Sequence, residues 1–266
     1  MPSTTPAAGS AERWGPLWGA RPGDWAETEE RQLPTYEEAI VRVGLAAGDR
    51  VLELGCGSGV FLRLAADRGA TVYGLDASEA LLEIARRRVP EADLCLGDMQ
   101  FLPYQDDLFD IVAGFNSFFF AADMVAALRE ARRVARPGAT VVVQVWGRPE
   151  RCALEAMKHS LAPLLPPPDP DAPRGSELWE PGVLERFATD AGLAPTSAFD
   201  CAWAYEYSDE QALVRGMLAA GGIALVAEAA GGDLVQTAIV EALAPYRTAT
   251  GGYRLENEWH YLLATA

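Results

Sequence analysis

The sequence predicts an α/β protein built on a doubly wound, mostly parallel, seven-stranded sheet with helical insertions. Three observations predict it. Short β-branched runs alternate with amphipathic helical runs between 50 and 147, the pattern of a parallel sheet covered on both faces. The first of those runs, Arg50-Val-Leu-Glu-Leu54, ends in glycines that open a helix. Two more alternating runs, 196–207 and 253–264, follow a region of helical patterning and bring the strands to seven.

The elements follow in order. Residues 1–12 are small and polar and are expected to form a disordered tail. Trp14, Trp18 and Trp25 then stand among Gly, Pro and charged residues, which is the composition of a segment that docks on something. A helix is expected over 27–45, a strand over 50–54 and a helix over 58–68. A strand over 70–75 stops at Asp76. Ser78 suits the N-cap of the next helix, whose early Glu79 and Glu83 and late Arg86, Arg87 and Arg88 both match the helix dipole. Strands over 92–96 and 109–115 precede a helix over 121–135, closed by Arg136-Pro-Gly138. The strand over 139–146 is the most apolar. Beyond Gly147 come a helix over 150–165, a stiff proline loop at 166–173 and a helix over 180–191. After the strand over 196–207, the chain is helical over 209–243, with interruptions at Gly221-Gly222 and Gly231-Gly232. No tandem repeat and no internal domain boundary is evident.

Composition removes several classes of function. The chain has 266 residues, 50% of them hydrophobic, so intrinsic disorder is excluded for most of it. Its 22 Lys and Arg against 38 Asp and Glu give a net charge of −16, which disfavours nucleic-acid backbones and anionic membrane surfaces as partners. No run free of charged residues exceeds 12 residues, against the roughly 20 that a membrane-spanning helix needs. The N-terminus has neither a basic start nor an apolar core, so no secretory signal is read there. Cys56, Cys95, Cys152 and Cys201 lie far apart without a CxxC pair. Reduced thiols in the cytoplasm are expected, rather than a disulfide framework or a thiolate zinc site.

The strongest local signal is Glu53-Leu-Gly55-Cys56-Gly57-Ser-Gly59, between a strand and a helix. Glycines there let backbone approach a ligand, and the helix N-terminus offers free N–H groups; a merely tight strand–helix turn would use the same residues. Val60 and Leu62 occupy the third glycine positions of a dinucleotide fingerprint, and no G-K-[ST] phosphate loop is present. The second signal is Asp76, at the end of the next strand. It either accepts hydrogen bonds from ribose hydroxyls in the shared crevice or serves the helix start beside Ser78. Asp98 and Met99, after the third strand, suit the amino edge and ring of an adenine. Phe115 and Asn116, after the fourth, face the same crevice.

These residues resemble the class I S-adenosylmethionine-dependent methyltransferases, most nearly the group acting on small molecules. The pieces are Val51-Leu-Glu-Leu-Gly-Cys-Gly-Ser-Gly59, Gly74-Leu-Asp-Ala-Ser78, Gly97-Asp-Met-Gln-Phe-Leu-Pro-Tyr104, Phe109-Asp-Ile-Val112 and Leu128-Arg-Glu-Ala-Arg-Arg-Val-Ala-Arg-Pro-Gly138. They cover about residues 50–147 in the family's order. One departure is that Pro137-Gly138 is followed by Ala139 where a second glycine is common. The resemblance implies a Rossmann-like methyltransferase fold and S-adenosylmethionine as cofactor. It implies that the Gly55, Cys56, Gly57 and Gly59 backbone holds the methionine part, with Glu53 in support. It further implies that Asp76 binds the ribose, Ala77 packs on the adenine, Asp98 and Met99 address the adenine edge, and Phe115 and Asn116 line the floor beneath the sulfonium.

Methyl transfer from a sulfonium needs positioning and a dry site more than a catalytic motif. His159, in the helix after the fifth strand, is the best single base candidate, but a surface or partly buried structural role is weighed above it, since a base needs geometry first; His260 reads as structural. No metal is expected, because no His/Asp/Glu set has ligand spacing. Of Phe118, Phe119 and Phe120, about two are expected in the core. The remaining ring, taken as Phe119, joins Trp14, Trp18, Trp25 and the inserted helices as an aromatic lid over a small, largely apolar or aromatic acceptor. The chain is expected to be a single domain, 1–266, with an N-terminal helical lid over 13–49, a cofactor-binding core over 50–147, and lid helices and terminal strands over 148–266. A monomer or homodimer fits equally. Two readings compete with methyl transfer: the same fold and cofactor running another reaction, and a non-catalytic S-adenosylmethionine-binding regulator.

Overall fold

The structure, a computed structural model, describes residues 9–165 and 177–266. The proline loop expected at 166–173 and residues 1–8 of the expected tail lie outside the described residues. Seven strands form one sheet: β1 (Arg50–Leu54), β2 (Thr71–Asp76), β3 (Asp93–Leu96), β4 (Phe109–Phe115), β5 (Ala135–Trp146), β6 (Ala194–Tyr207) and β7 (Tyr253–Thr265). Their order is β3-β2-β1-β4-β5-β7-β6, and β7 alone runs against its neighbours. This is the mostly parallel, doubly wound α/β sheet that the alternation predicts.

The strand residues explain the layering. Val141, Val142, Val143 and Val145 of β5 are all buried, as a β-branched run does when both faces of a strand are covered. On one face Val51, Ile111, Val142 and Tyr261 pack under α3 (Leu33–Val43), α4 (Val60–Ala66), α5 (Glu79–Arg88) and α7 (Leu154–Leu161). On the other, Leu52, Phe109, Val112 and Val141 pack under α6 (Met124–Val134) and α8 (Val183–Asp190). Alternation splits β7 likewise: Trp259 and Tyr261 serve the first core, Leu262 and Ala264 the second. The buried Tyr261 hydroxyl donates to the Thr35 carbonyl at 2.8 Å and ties α3 to the sheet.

Several boundaries differ from expectation, each for a physical reason. The first helix, α1 (Ala11–Trp18), begins within the segment expected to be disordered. The helix expected over 27–45 is broken: α2 (Pro22–Glu29) ends in a 3₁₀ turn, Glu30–Gln32, before α3 begins. Pro34 sits in the first turn of α3, where its missing N–H costs nothing but where it cannot continue a preceding helix. β5 begins at Ala135 rather than 139, with Ala135 paired to Phe109 across an irregularity. The late helical stretch resolves into α9 (Glu210–Leu218), α10 (Gly221–Ala230) and α11 (Gly232–Leu243), with Gly231 at φ 93° between the last two. Gly221-Gly222 open α10 just past the break after Leu218, so the helical run is interrupted at both expected places. Among the described residues no single helix is long and apolar enough to cross a membrane.

Candidate functional site

A cavity of about 420 Å³ opens at the carboxyl ends of β1, β2 and β4, the crevice where open parallel sheets place their ligands. Its floor is the loop after β1. Gly57 has φ 52°, and a Cβ there would lie 2.8 Å from a Glu29 carboxylate oxygen; a Cβ on Gly55 would meet the Ser117 side chain at 2.6 Å. The glycines are needed for close approach as well as for turning.

Asp76 ends β2 and is 8% exposed. One carboxylate oxygen accepts the Gly57 N–H and the other the Ser78 N–H, both at 2.8 Å. Asp76 serves the helix start beside Ser78, as one of its two readings expects, and it also braces the loop while lining the cavity. A carboxylate offers about four acceptor positions, so capacity remains after these two bonds. Burial raises its pKa. Ser78 itself caps α5, its hydroxyl accepting the Leu81 N–H at 3.4 Å.

Asp98 and Met99 also line the cavity. Asp98 holds the Ala11 N–H at 2.8 Å and the Gln100 N–H at 2.9 Å, so it caps the start of α1 from another part of the chain. Ala77 lies under α1, where Gly15 leaves room: a Cβ on Gly15 would come within 2.2 Å of the Ala77 carbonyl oxygen. Phe115 packs edge-on against Tyr36, ring centroids 4.8 Å apart. Asn116 adopts φ 50°, and its buried Oδ1 has no hydrogen-bond partner.

Other candidates fall elsewhere. Glu53 is 1% exposed and lies behind the loop; one of its oxygens has no partner. Cys56 is buried against Gly74, so only its backbone belongs to the loop, and burial pushes its thiol pKa well up. Gly59 caps α4 behind the cavity wall. His159 does not reach the site. Leu154, Met157 and Leu161 turn the inner face of α7 to the cavity, which leaves His159 on the outer face with its side chain 76% exposed. His260 pairs with Asp200 at 2.7 Å, outside the cavity.

Trp18, Trp25 and Phe119 line the cavity together with Trp14 and Phe120. Trp18 meets Trp25 and Phe120 edge-on, at 4.5 and 5.5 Å. Of the three phenylalanines, Phe118 is buried in the second core and Phe119, partly buried, packs against it, in line with about two of three. The 3₁₀ turn Phe118–Phe120 sends the Phe119 and Phe120 rings to the cavity.

Sequence reasoning missed the polar residues at the α2–α3 break. Thr28, Glu29 and Gln32 are buried and line the cavity beside Tyr36. Glu29 is 3% exposed, and its carboxylate accepts the Ser58 N–H at 2.8 Å and the Val60 N–H at 3.4 Å. Burial pushes its pKa up to about 7. In an unbroken helix Glu29 reads as one more solvated acid; Pro34, just beyond, is the signal that could have found it. The aliphatic wall from α7, α9 and α10 was also missed in detail. It includes Met157, Met217, Ile223 and Val226.

The arrangement is a largely apolar chamber over a glycine floor, with acids at Glu29, Asp76 and Asp98. Lys158 is the one cation on the described wall, and it pairs with Glu155 at 3.0 Å. Such a lining has the chemistry to accept a ligand carrying hydroxyl, amino and cationic groups.

Comparison with known proteins agrees with this geometry. A family model described as a methyltransferase domain matches residues 52–143. The chain is 33% identical over 210 residues to the 27-O-demethylrifamycin SV methyltransferase of Amycolatopsis mediterranei, spanning 69% of this chain and 70% of that protein. It is 34% identical over 197 residues to an uncharacterized protein of Mycobacterium tuberculosis, spanning 68% and 70%. In fold it is similar to the [4+2]-cyclase SpnF, with a TM-score of 0.57 at 20% identity over 88% of this chain and 80% of that one. The chain belongs to the class I S-adenosylmethionine-dependent methyltransferases.

Proposed function

We propose that this protein transfers a methyl group from S-adenosylmethionine to a small, largely apolar or aromatic metabolite by in-line displacement. The observation that carries the reading is one cavity with two kinds of wall. Its floor is the glycine loop and Asp76; its upper walls are Trp18, Trp25, Met157 and Ile223, from outside the matched domain, with Phe119 from within it. The cofactor's fit is supported by the cavity that the Gly55 and Gly57 backbone lines beside Asp76 and by the unpartnered Asn116 Oδ1.

When bound, the cofactor supplies the activated methyl group and its own leaving group. The chain's residues bind and orient. The Gly55–Gly57 backbone receives the amino-acid end, with Glu53 behind it. Asp76 accepts from the ribose hydroxyls, Ala77 packs on the adenine, and Asp98 and Met99 take its edge. Phe115 and Asn116 lie beneath the reacting centre. The aromatic and aliphatic walls exclude water, so positioning supplies most of the rate enhancement. A relative named for methylating 27-O-demethylrifamycin SV supports a secondary metabolite as acceptor. The four free thiols suit a reducing cytoplasm.

The test is incubation with S-adenosylmethionine and a panel of apolar and aromatic metabolites bearing hydroxyl, amino or acidic carbon centres. S-adenosylhomocysteine should form together with an acceptor one methyl group heavier. Turnover on nucleic acid or protein, with none on the apolar panel, would remove the acceptor assignment.

A further inference from the structure

Glu29 stands at the point where α2 breaks, outside the matched domain, and reaches across to the glycine loop. Its two bonds, to Ser58 N–H and Val60 N–H, cap the start of α4 from a distant part of the chain. A helix N-terminus is a ready seat for an anion; here the chain's own carboxylate fills it. The loop therefore presents a carboxylate to the cavity at the place where it would otherwise present open N–H groups.

The surroundings leave that carboxylate short of positive charge. Glu53 from β1 and Asp76 from β2 face the same loop, Glu53 with an oxygen that has no partner. Cys56 in the loop, Tyr36 from α3 and Tyr205 from β6 are the other titratable neighbours, and none of them is a cation. Arg88 from α5 is the nearest basic group. Its guanidinium is occupied by Glu30 at 2.6 Å and by the Ser58 hydroxyl at 2.6 Å. No ion pair among the described residues includes Glu29. Buried acids without counter-charge are unfavourable unless something supplies it. The cavity wall on which Glu29 lies is open to a ligand.

We propose that Glu29 is a cofactor-recognition residue supplied by the N-terminal segment: its carboxylate receives the positively charged amino group at the cofactor's amino-acid end, while the α4 N-terminus is closed to the cofactor's carboxylate. This rests on the reading of the cavity as an S-adenosylmethionine site. It also makes α2, and with it Trp25, respond to the presence of the cofactor's amino group.

The test compares two probes by calorimetry on the full chain. S-adenosylhomocysteine carries the amino-acid end, and 5′-methylthioadenosine lacks it while keeping the adenosine and the sulfur. Glu29→Gln keeps the size and an acceptor for Ser58 but removes the charge. It should weaken S-adenosylhomocysteine by about tenfold or more, the loss of one charged hydrogen bond, and leave 5′-methylthioadenosine within about threefold. In the wild type, S-adenosylhomocysteine should bind more tightly as pH rises through about 7, where Glu29 ionises, and the variant should lack that rise. Equal weakening of both probes, or no weakening of either, overturns the proposal, because Glu29 then only shapes the loop. A wild type that shows no pH-dependent gain overturns it independently of the variant. If the wild type binds neither probe, the functional reading fails and this proposal with it; if the wild type binds both and only the Glu29 effect is missing, the functional reading stands alone.

Discussion

Removing the Glu29 charge should make the empty protein more stable in mildly alkaline solution, although it weakens the site. The carboxyl is 3% exposed, and its pKa rises from 4.5 to about 7 because burial penalises the ion more than the Ser58 and Val60 N–H groups help it. The folded state therefore holds this proton more tightly than the unfolded state does. Its contribution to stability is fully present below about pH 4.5 and is lost as pH rises through about 7. The gap between the two values is worth at most about 3 kcal/mol. Glu53 and Asp76 are raised as well, so the wild-type curve falls for several reasons; the difference between wild type and Glu29→Gln isolates one of them. Gln keeps the bond to Ser58 and gives up the weaker one to Val60, a loss of about 1 kcal/mol. Urea unfolding should find the variant equal to wild type, or about 1 kcal/mol weaker, near pH 5, and about 2 kcal/mol stronger near pH 8. If the variant is weaker by the same margin at both pH values, the carboxylate is not held against a burial penalty and the reasoning is refuted.

Three further outcomes are expected. Gly15→Val drives a Cβ to within 2.2 Å of the Ala77 carbonyl oxygen, so α1 should lose its seat and its N–H bond to Asp98; hydrogen exchange over 9–20 should accelerate, and unchanged protection would contradict the packing. His159→Ala removes an exposed side chain and should leave turnover within about twofold; a large loss would restore His159 as a base. Phe118→Ala empties a fully buried position in the second core and should cost about 3–5 kcal/mol in urea unfolding, whereas a small cost would mean that the ring is not packed as described.

How much was legible in the sequence depended on how local each signal was. Val51-Leu-Glu-Leu54 and Val141–Val143 announce buried strands by residue type, and their burial follows. The glycine loop, Asp76 and the Ser78 cap are set by neighbours in sequence, so their places could be read directly. Glu29 could not, because its burial depends on a helix break at Pro34 and on a partner loop 29 residues away. His159 takes the surface role weighed above the base: helix α7 does cover the cavity, but its phase turns Met157 inward and His159 outward. Phe119 and Phe120 reach the cavity because a 3₁₀ turn lies between β4 and α6, which no periodicity announces. Asp98 illustrates the limit from the other side, since its residue type suggested a ligand contact and nothing local showed that it also holds α1.

The central claim is that the crevice beside Gly57 and Asp76 binds S-adenosylmethionine. Calorimetric titration of wild type and Asp76→Ala with S-adenosylmethionine, with NADH as a control, tests it most directly. Asp76 supplies two 2.8 Å bonds that brace the loop and the acceptors left for the ribose. The account predicts micromolar binding to the wild type, loss of at least about tenfold on substitution, and no response to NADH. Binding of NADH, or S-adenosylmethionine affinity unchanged by Asp76→Ala, would contradict it.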